Sequence, residues 1–342
     1  MLTMPETSPL KPDLYPQGDL FLCDVADAII KDAMPQMEHP FYSLSKKPNT
    51  GVKEYHHGDN WIRITPSVKG HATIYDKDLL IYCISKLMDA KKRGELISPR
   101  IRIVAHHYLK FTNRGTSGRD YMAFIESLER LRGVSITTNI RTGGKEQTDV
   151  FGIIDSASVK RKLGLDGRIE WVEMKLSEWL FNAVEANEVL ALHKDYFRLR
   201  KPIERRIYEI ARKHCGRQNI WKISVDKLLN KSGSSMSKKH FRPVLNKLAT
   251  SDHLPDYLVE VIGDNVVFTN KGTMFEDDSA LDLKPLSADA YDKARQAAPG
   301  WDIRHIEQEW YNYVKQKNEP IVSSDKAFIG FCRSWFEKRG RP

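Results

Sequence analysis

Between residues 76 and 133 apolar positions recur three times in succession at the spacing of a helix turn. Leu80, Ile84, Leu87 and Met88 form the first stripe, with Asp76 placed to cap it and Gly94 to end it. The second stripe is Val104, His107, Tyr108 and Phe111. Its helix is expected to begin at Ser98-Pro99, where serine offers a cap oxygen and proline gives up no needed N–H. The third, Tyr121, Phe124, Ile125, Leu128 and Leu131, lies between a Ser117 cap and Gly133. Two β-prone runs follow, Val134 to Ile140 and Gln147 to Ile154, flanking Arg141-Thr142-Gly143-Gly144-Lys145-Glu146, and they predict a hairpin. Arg168 to Leu176 adds a further strand and Ser177 to Ala186 a short helix.

The same order returns downstream. Ile203, Ile207, Ile210 and Ala211 predict a helix that opens at Lys201-Pro202 and closes at Gly216. Ser224 caps a short helix through Val225, Leu228 and Leu229, and Ser235 or Ser237 caps a third that buries Phe241, Val244, Leu245 and Leu248. Strands Tyr257 to Ile262 and Val266 to Thr269 then turn at Gly263, Asp264 and Asn265. Pro243 lies deep in the third helix and is expected to kink it or delay its start. Three helices and a ribbon, occurring twice, is the order of tandem winged-helix domains. The expected class is mainly α with small β, an α+β fold.

Outside this repeat the pattern thins. Residues 1–60 are spotted with proline from Pro5 to Pro48, hold one candidate helix, Asp19 to Met34, and read as an arm with little core of its own. The expected organisation is this N-terminal arm, a first winged helix over 61–190, a second over 191–272, an acidic linker over 273–286, and a helical C-terminal module over 287–342. That last module carries three short helical stretches, Ser287 to Ala298, Asp302 to Lys317 and Asp325 to Lys338. Trp301, Trp310, Tyr313, Phe328, Phe331 and Trp335 are its expected core.

Composition agrees with several folded units. The chain has 342 residues, of which 41% are apolar, enough to fill more than one core. No apolar run approaches the ~20 residues that cross a bilayer, and the start lacks a signal-peptide profile, so a soluble, cytoplasmic protein without membrane contact is expected. Cys23, Cys83, Cys215 and Cys332 stand too far apart for a zinc or disulfide framework, so neither metal nor cofactor is expected.

Charge changes the picture. Residues 201–250 hold thirteen Lys or Arg against three Asp or Glu, while the whole chain carries a net charge of only +9. Focused positive charge at the start of a helix suits a polyanion with regular phosphates, and DNA is the first candidate. In the second module Ser235, Ser237, Lys238, Lys239, Arg242 and Asn246 are the outward positions of the third helix and the turn before it. Arg242 and Asn246, with bidentate groups, are the expected base readers, and Lys238 and Lys239 the phosphate contacts. Lys247 and the upstream Arg198, Arg200, Arg205 and Arg206 are expected to extend that track. In the first module Ser117 and Arg119, with Arg141 and Lys145 in the wing, are candidates for backbone contact. Asp120, Glu126 and Glu129 offset its third helix, which leaves DNA and protein both open as its partner. In the C-terminal module Arg333, Lys338, Arg339 and Arg341 are candidates for nucleic acid, with protein docking as the alternative.

Signals for chemistry are absent. His56-His57 and His106-His107 are adjacent, so in a strand they point to opposite sides and in a helix they do not converge on a metal. Gly143-Gly144-Lys145 lacks the glycine spacing and the following Ser or Thr of a phosphate loop. No enzymatic activity is expected.

Two blocks carry a resemblance. Gly118-Arg119-Asp120-Tyr121 leading to Leu128-Glu129-Arg130-Leu131-Arg132-Gly133 and Thr137-Thr138-Asn139-Ile140, then Tyr196-Phe197-Arg198-Leu199-Arg200-Lys201-Pro202-Ile203-Glu204-Arg205-Arg206-Ile207-Tyr208 and Leu254-Pro255-Asp256-Tyr257, resemble the plasmid replication initiator protein A family over roughly residues 60 to 275. Pro299-Gly300-Trp301-Asp302-Ile303 and Ala327-Phe328-Ile329-Gly330-Phe331-Cys332-Arg333-Ser334-Trp335 are similar to the end of primosomal DnaT. The resemblance implies a bacterial plasmid initiator with tandem winged helices. Such a protein binds repeated origin sites in double-stranded DNA, helps open the duplex, recruits host DnaA and the DnaB helicase, and represses its own promoter as a self-dimer. It also implies that the first module can serve as a dimer surface. The rival readings are a winged-helix transcriptional repressor and, from another class, a relaxase or primase.

Overall fold

The computed structural model describes residues 8–16, 30–45, 47–57, 60–139, 149–161, 169–216, 218–272, 286–301 and 324–340, with some positions between 303 and 314. The chain forms two compact units, Met1–Phe275 and Glu276–Pro342. In chain order the first holds β1 (Lys31–Ala33), α1 (Met34–Glu38), β2 (Lys53–His57), β3 (Asn60–Thr65), α2 (Lys77–Lys92), β4 (Arg100–Ile103), α3 (Ala105–Phe111), α4 (Gly118–Gly133), β5 (Ser135–Thr138), β6 (Asp149–Gly152), β7 (Ile154–Arg161), β8 (Ile169–Leu176), α5 (Glu178–Glu185) and β9 (Val189–Ala191). A 3-10 helix, Lys194–Arg198, leads to α6 (Pro202–His214), β10 (Ile220–Ser224), α7 (Val225–Ser232), α8 (Lys238–Ser251), β11 (Tyr257–Ile262) and β12 (Asn265–Asn270).

The second module forms as its pattern dictates. Ile203, Ile207 and Ile210 of α6, Val225 and Leu228 of α7, and Phe241, Leu245 and Leu248 of α8 close on Val259, Val266 and Phe268 of the sheet. The Ser224 hydroxyl accepts from the Lys227 N–H and starts α7, and Gly233 ends it at φ 65, a left-handed conformation that glycine adopts without penalty. β11 and β12 turn at Gly263 and Asp264, and β12 lies between β10 and β11. Helix α8 starts directly after Ser237 and runs through Pro243, which sits on its exposed side. The proline therefore does not delay the start, although its missing N–H leaves the Lys239 carbonyl without its helical donor.

The first module repeats this topology. α2, β4, α3, α4, β7 and β8 follow in the same order, and the sheet runs β4-β8-β7 as the other runs β10-β12-β11. Two expectations are corrected here. Ser98-Pro99 starts no helix; Arg100-Ile101-Arg102-Ile103 alternates exposed and buried as β4, the period of a strand, and α3 begins only at Ala105. The wing is not the 134–154 hairpin but β7–β8. β5 and β6 instead complete a four-stranded antiparallel sheet, β2-β3-β5-β6, in which Ile64 opposes Ile136 and Ile62 opposes Thr138, all four buried.

The arm also differs from its expectation. Residues 31–33 form a strand, β1, and not the end of a helix, with Lys31 opposite Ala191 on β9. Ala33, Phe41 and Tyr42 enter the core of the first module, whereas Met37 enters that of the second. Phe41 meets Trp179 edge-on at 5.5 Å. The arm thus has no core of its own because it is shared between two others.

The unit Glu276–Pro342 contains α9 (Ala288–Ala297) and α10 (Ser324–Arg339) among its described elements. Trp310, Phe328, Cys332 and Trp335 are buried with Ile303 and Ile306, and Trp301 and Phe331 pack at the margin, so most of the expected aromatic core is core. Tyr313 is 44% exposed and lies against Phe331. Among the described residues no helix is long and apolar enough to cross a membrane.

Candidate nucleic-acid interface

On α8 the buried stripe fixes what faces out. With Phe241, Leu245 and Leu248 inside, Lys239, Asn246 and Lys247 are exposed, and Lys238 and Arg242 lie at the flank toward the β11–β12 turn. Ser235 and Ser237 are exposed before the helix; Ser237 is the N-cap residue, but its hydroxyl meets His240 Nδ1 at 2.8 Å and makes no cap bond. No acid occupies the first turn, so the positive end of the helix dipole adds to the cations. The Lys238 ammonium lies 2.7 Å from the Asp226 carboxylate and 3.6 Å from that of Asp264. The hydrogen bond to Asp226 holds it above the ordinary lysine value. Arg242 donates to the Gly263 carbonyl at 2.8 Å and pairs with Asp264. Lys238 and Arg242 therefore share one carboxylate. Lys239, three residues before Arg242, adjoins them on the same face.

The upstream arginines do something else. Arg205 is 1% exposed, and its guanidinium binds Asp78 at 2.7 Å and the carbonyls of Phe197 and Leu199 at 2.9 and 3.2 Å. Arg206, also buried, donates to the Met37 and Lys231 carbonyls at 2.6 and 3.0 Å and pairs with Glu209 at 3.1 Å. Neither can reach a phosphate, and the expected extension of the track through them is corrected. Arg198 holds the Lys11 carbonyl at 2.8 Å and Asp195 at 2.9 Å, and Arg200 holds the carbonyls of Ser8 and Leu10. These four arginines fasten the arm and the first module to the second.

Arg205 and Arg206 belong to a buried charged junction. Lys77, at the start of α2, has its ammonium 2.6 Å from Asp32 and 3.0 Å from Glu209, all three inaccessible to solvent. Asp78 beside it takes both Arg205 and Arg114, the latter at 2.9 Å. Tyr196 donates to Glu209 at 2.6 Å. Burial pushes the Asp32 carboxyl up to about 6 against the pull of Lys77. Charges taken out of water are tolerated only when paired in this manner.

In the first module Ser117 and Asp120 form a capping box that opens α4. Asp76, expected as the cap of α2, makes no such bond. Its carboxylate takes both prongs of the Arg130 fork at 2.8 Å and the Ser127 hydroxyl at 2.7 Å. Exposed on α4 are Arg119, Met122, Glu126, Glu129 and Arg132, as many acids as bases, and Glu129 pairs with Lys69. Arg141 and Lys145 lie outside the described residues. Sequence reasoning missed the cations on the β4-β8-β7 sheet: Arg102 stacks 4.4 Å over Trp171, Lys160 lies 5.9 Å from the same ring, and Arg161 ends β7. The signal was the alternation Ser156-Ala157-Ser158-Val159 running into Lys160-Arg161-Lys162 before Gly164 and Gly167.

Among the described residues no group of three His, Cys, Asp or Glu is placed to hold a metal. His56 lies on β2 and meets Glu54 at 3.3 Å; His107 is half-buried. In the C-terminal unit Arg339 covers the Trp335 ring at 3.6 Å, and Arg333 and Lys338 are exposed; Arg341 lies outside the described residues.

A protein of Wigglesworthia glossinidia brevipalpis named "Putative replication protein" is 40% identical over 236 residues, 68% of this chain and 86% of that one. Among solved structures, domains 2 and 3 of RctB superpose with a TM-score of 0.53 at 11% identity, over 70% of this chain and 98% of that chain. That likeness bears on the fold alone. The Pi initiator protein in complex with iteron DNA aligns with a TM-score of 0.41 at 18% identity, over 60% of this chain and 92% of that chain, too slight a likeness to carry weight. The model of the family described as Replication initiator protein A matches residues 31–259. The chain belongs to the replication initiator protein A family.

Proposed function

We propose that this initiator binds repeated sites in the double-stranded DNA of a plasmid origin, with α8 of the second module as the principal reader. The observation that carries this is the convergence of Lys238, Lys239 and Arg242 on one face at a helix start free of acid. A helix of this kind enters the major groove with its opening turn toward the bases. Lys239, Lys238 and Lys247 hold phosphate, Arg242 and Asn246 reach base edges, and Ser235 and Ser237 touch the backbone beside them. In the first module Arg119 and Ser117, with Lys160 and Arg161 on the true wing, grip backbone without reading sequence. The modules together span about two helical turns, a site of ~20 bp. The wider activity in this proposal is origin opening, recruitment of host DnaA and DnaB helicase, and repression by a self-dimer, all without chemistry of the protein's own.

A footprint on the DNA flanking the coding region tests the reading. Protection of direct repeats, with log affinity falling against log salt at a slope near −7 for about eight phosphate contacts, is the expected result. A salt-independent affinity would remove the electrostatic basis. Protection of one inverted repeat only, with failure to sustain an origin plasmid in trans, would make the protein a repressor.

A further inference from the structure

The acids beside α8 need an explanation, because a surface built only to attract phosphate would not place carboxylates against its own cations. Asp264 sits in the β11–β12 turn. One of its carboxylate oxygens takes Arg242 and the other faces Lys238 at 3.6 Å. Its position is set by the scaffold. Gly263 precedes it at φ 58, the turn conformation in which glycine leads, and the Asp264 carbonyl accepts from the Val225 N–H at 2.9 Å, fixing the turn to the start of α7. Gly263 supplies a second anchor through its carbonyl, 2.8 Å from Arg242. Two terminal nitrogens of one guanidinium are thus held by one turn, which fixes the plane of the group, and its remaining N–H groups are open to a purine edge. Lys238 is held differently, mainly by Asp226 at 2.7 Å on the neighbouring helix.

We propose that Asp264 is a positioning residue that fixes the Arg242 guanidinium for base reading and withholds it from phosphates of unrelated sequence, while Asp226 damps the attraction of Lys238 for phosphate of any sequence. The proposal rests on the DNA-reading role given to α8 above. Specificity is a difference between two affinities, and a carboxylate that competes with phosphate lowers the unwanted one. Arg242 then leaves its resting partner only partly, and only where a base edge rewards the fixed geometry. Lys239, which has no such acid beside it among the described residues, supplies the sequence-independent attraction.

The test measures affinity for the origin site and for an unrelated duplex, across salt, in the full chain. Asp264→Asn keeps a residue that suits the turn and removes the charge. The expected result is unrelated-duplex affinity raised about three- to tenfold, a salt slope steeper by about 1 to 2, and a site preference reduced about tenfold. In an Arg242→Ala background the same substitution should leave the preference unmoved. Asp226→Asn should raise both affinities together and spare the preference, because it releases Lys238 alone. Equal gains on both duplexes with Asp264→Asn, or no change on either, would overturn the positioning role. Absence of any site preference in the unaltered protein would instead overturn the DNA-reading proposal itself.

Discussion

Helices α6 and α8 lie in the same basic stretch and treat their cations in opposite ways. On α6 Arg205 and Arg206 turn inward, Arg205 held by the distant Asp78 and the nearby Phe197 and Leu199 carbonyls, Arg206 by Glu209 and the distant Met37 carbonyl. On α8 Lys239 and Lys247 stand in solvent, and Arg242 and Lys238 meet carboxylates that are themselves well exposed. Charge density along the chain does not distinguish these uses. What does is the company each side chain keeps after folding. A buried arginine is bound by partners that cannot leave without stranding a charge, whereas an exposed one exchanges its partner for another anion at little cost.

The largest expected effect tests the inward side. Arg205→Ala leaves Asp78 with Arg114 alone and strips the Phe197 and Leu199 carbonyls of their donor, and should lower unfolding free energy by about 3 kcal/mol in a denaturant titration. Near-wild-type stability combined with lost DNA binding would return Arg205 to the interface and erase the contrast. On the outward side, Lys238→Ala with Lys239→Ala should weaken site and unrelated duplex alike, by up to about a hundredfold, with stability moved by no more than ~0.5 kcal/mol. Arg119→Ala with Arg132→Ala on α4, where acids balance the bases, should cost no more than about threefold. An equal loss from both helices would make α4 a second reader. Arg242→Ala should relax sequence choice by roughly 1 to 3 kcal/mol, seen by competing the site against single-base variants.

The smallest effect is in pH. Asp32 titrates near 6 in the folded chain, above its unfolded value of about 4, so folding takes up a proton between those limits. Its contribution therefore favours the folded state at the acid end of that window and is lost as pH rises toward 6. Urea unfolding at pH 4 to 7 should show this slope in the unaltered chain and a flatter profile in Asp32→Asn. Identical profiles would place the titration elsewhere.

Much of the second module was legible because its determinants are local. The Ile203, Ile207, Ile210 stripe, the Ser224 cap and the Gly263-Asp264 turn each announce their structure within a few residues. The wing of the first module was not, since two β-prone ribbons compete for it and the choice is made by β2 and β3, which need β5 as a pairing partner. The Arg242 face was readable from helical spacing. The burial of Arg205 was not, because Asp78 lies 127 residues away in sequence. Asp76 misled for the same reason: its carboxylate serves Arg130, 54 residues on.

The arm sets an order of events in synthesis. Residues 31–42 leave the ribosome before the second module, yet β1 has no partner until β9 is made, Met37 has no pocket until α6 exists, and Lys77 has only Asp32 of its two acids until Glu209 appears. Translation therefore produces a first module with an open seam, sealed only when the second arrives. A nascent chain stalled after residue 188 should be cut by protease within 31–42, where the released full-length protein resists.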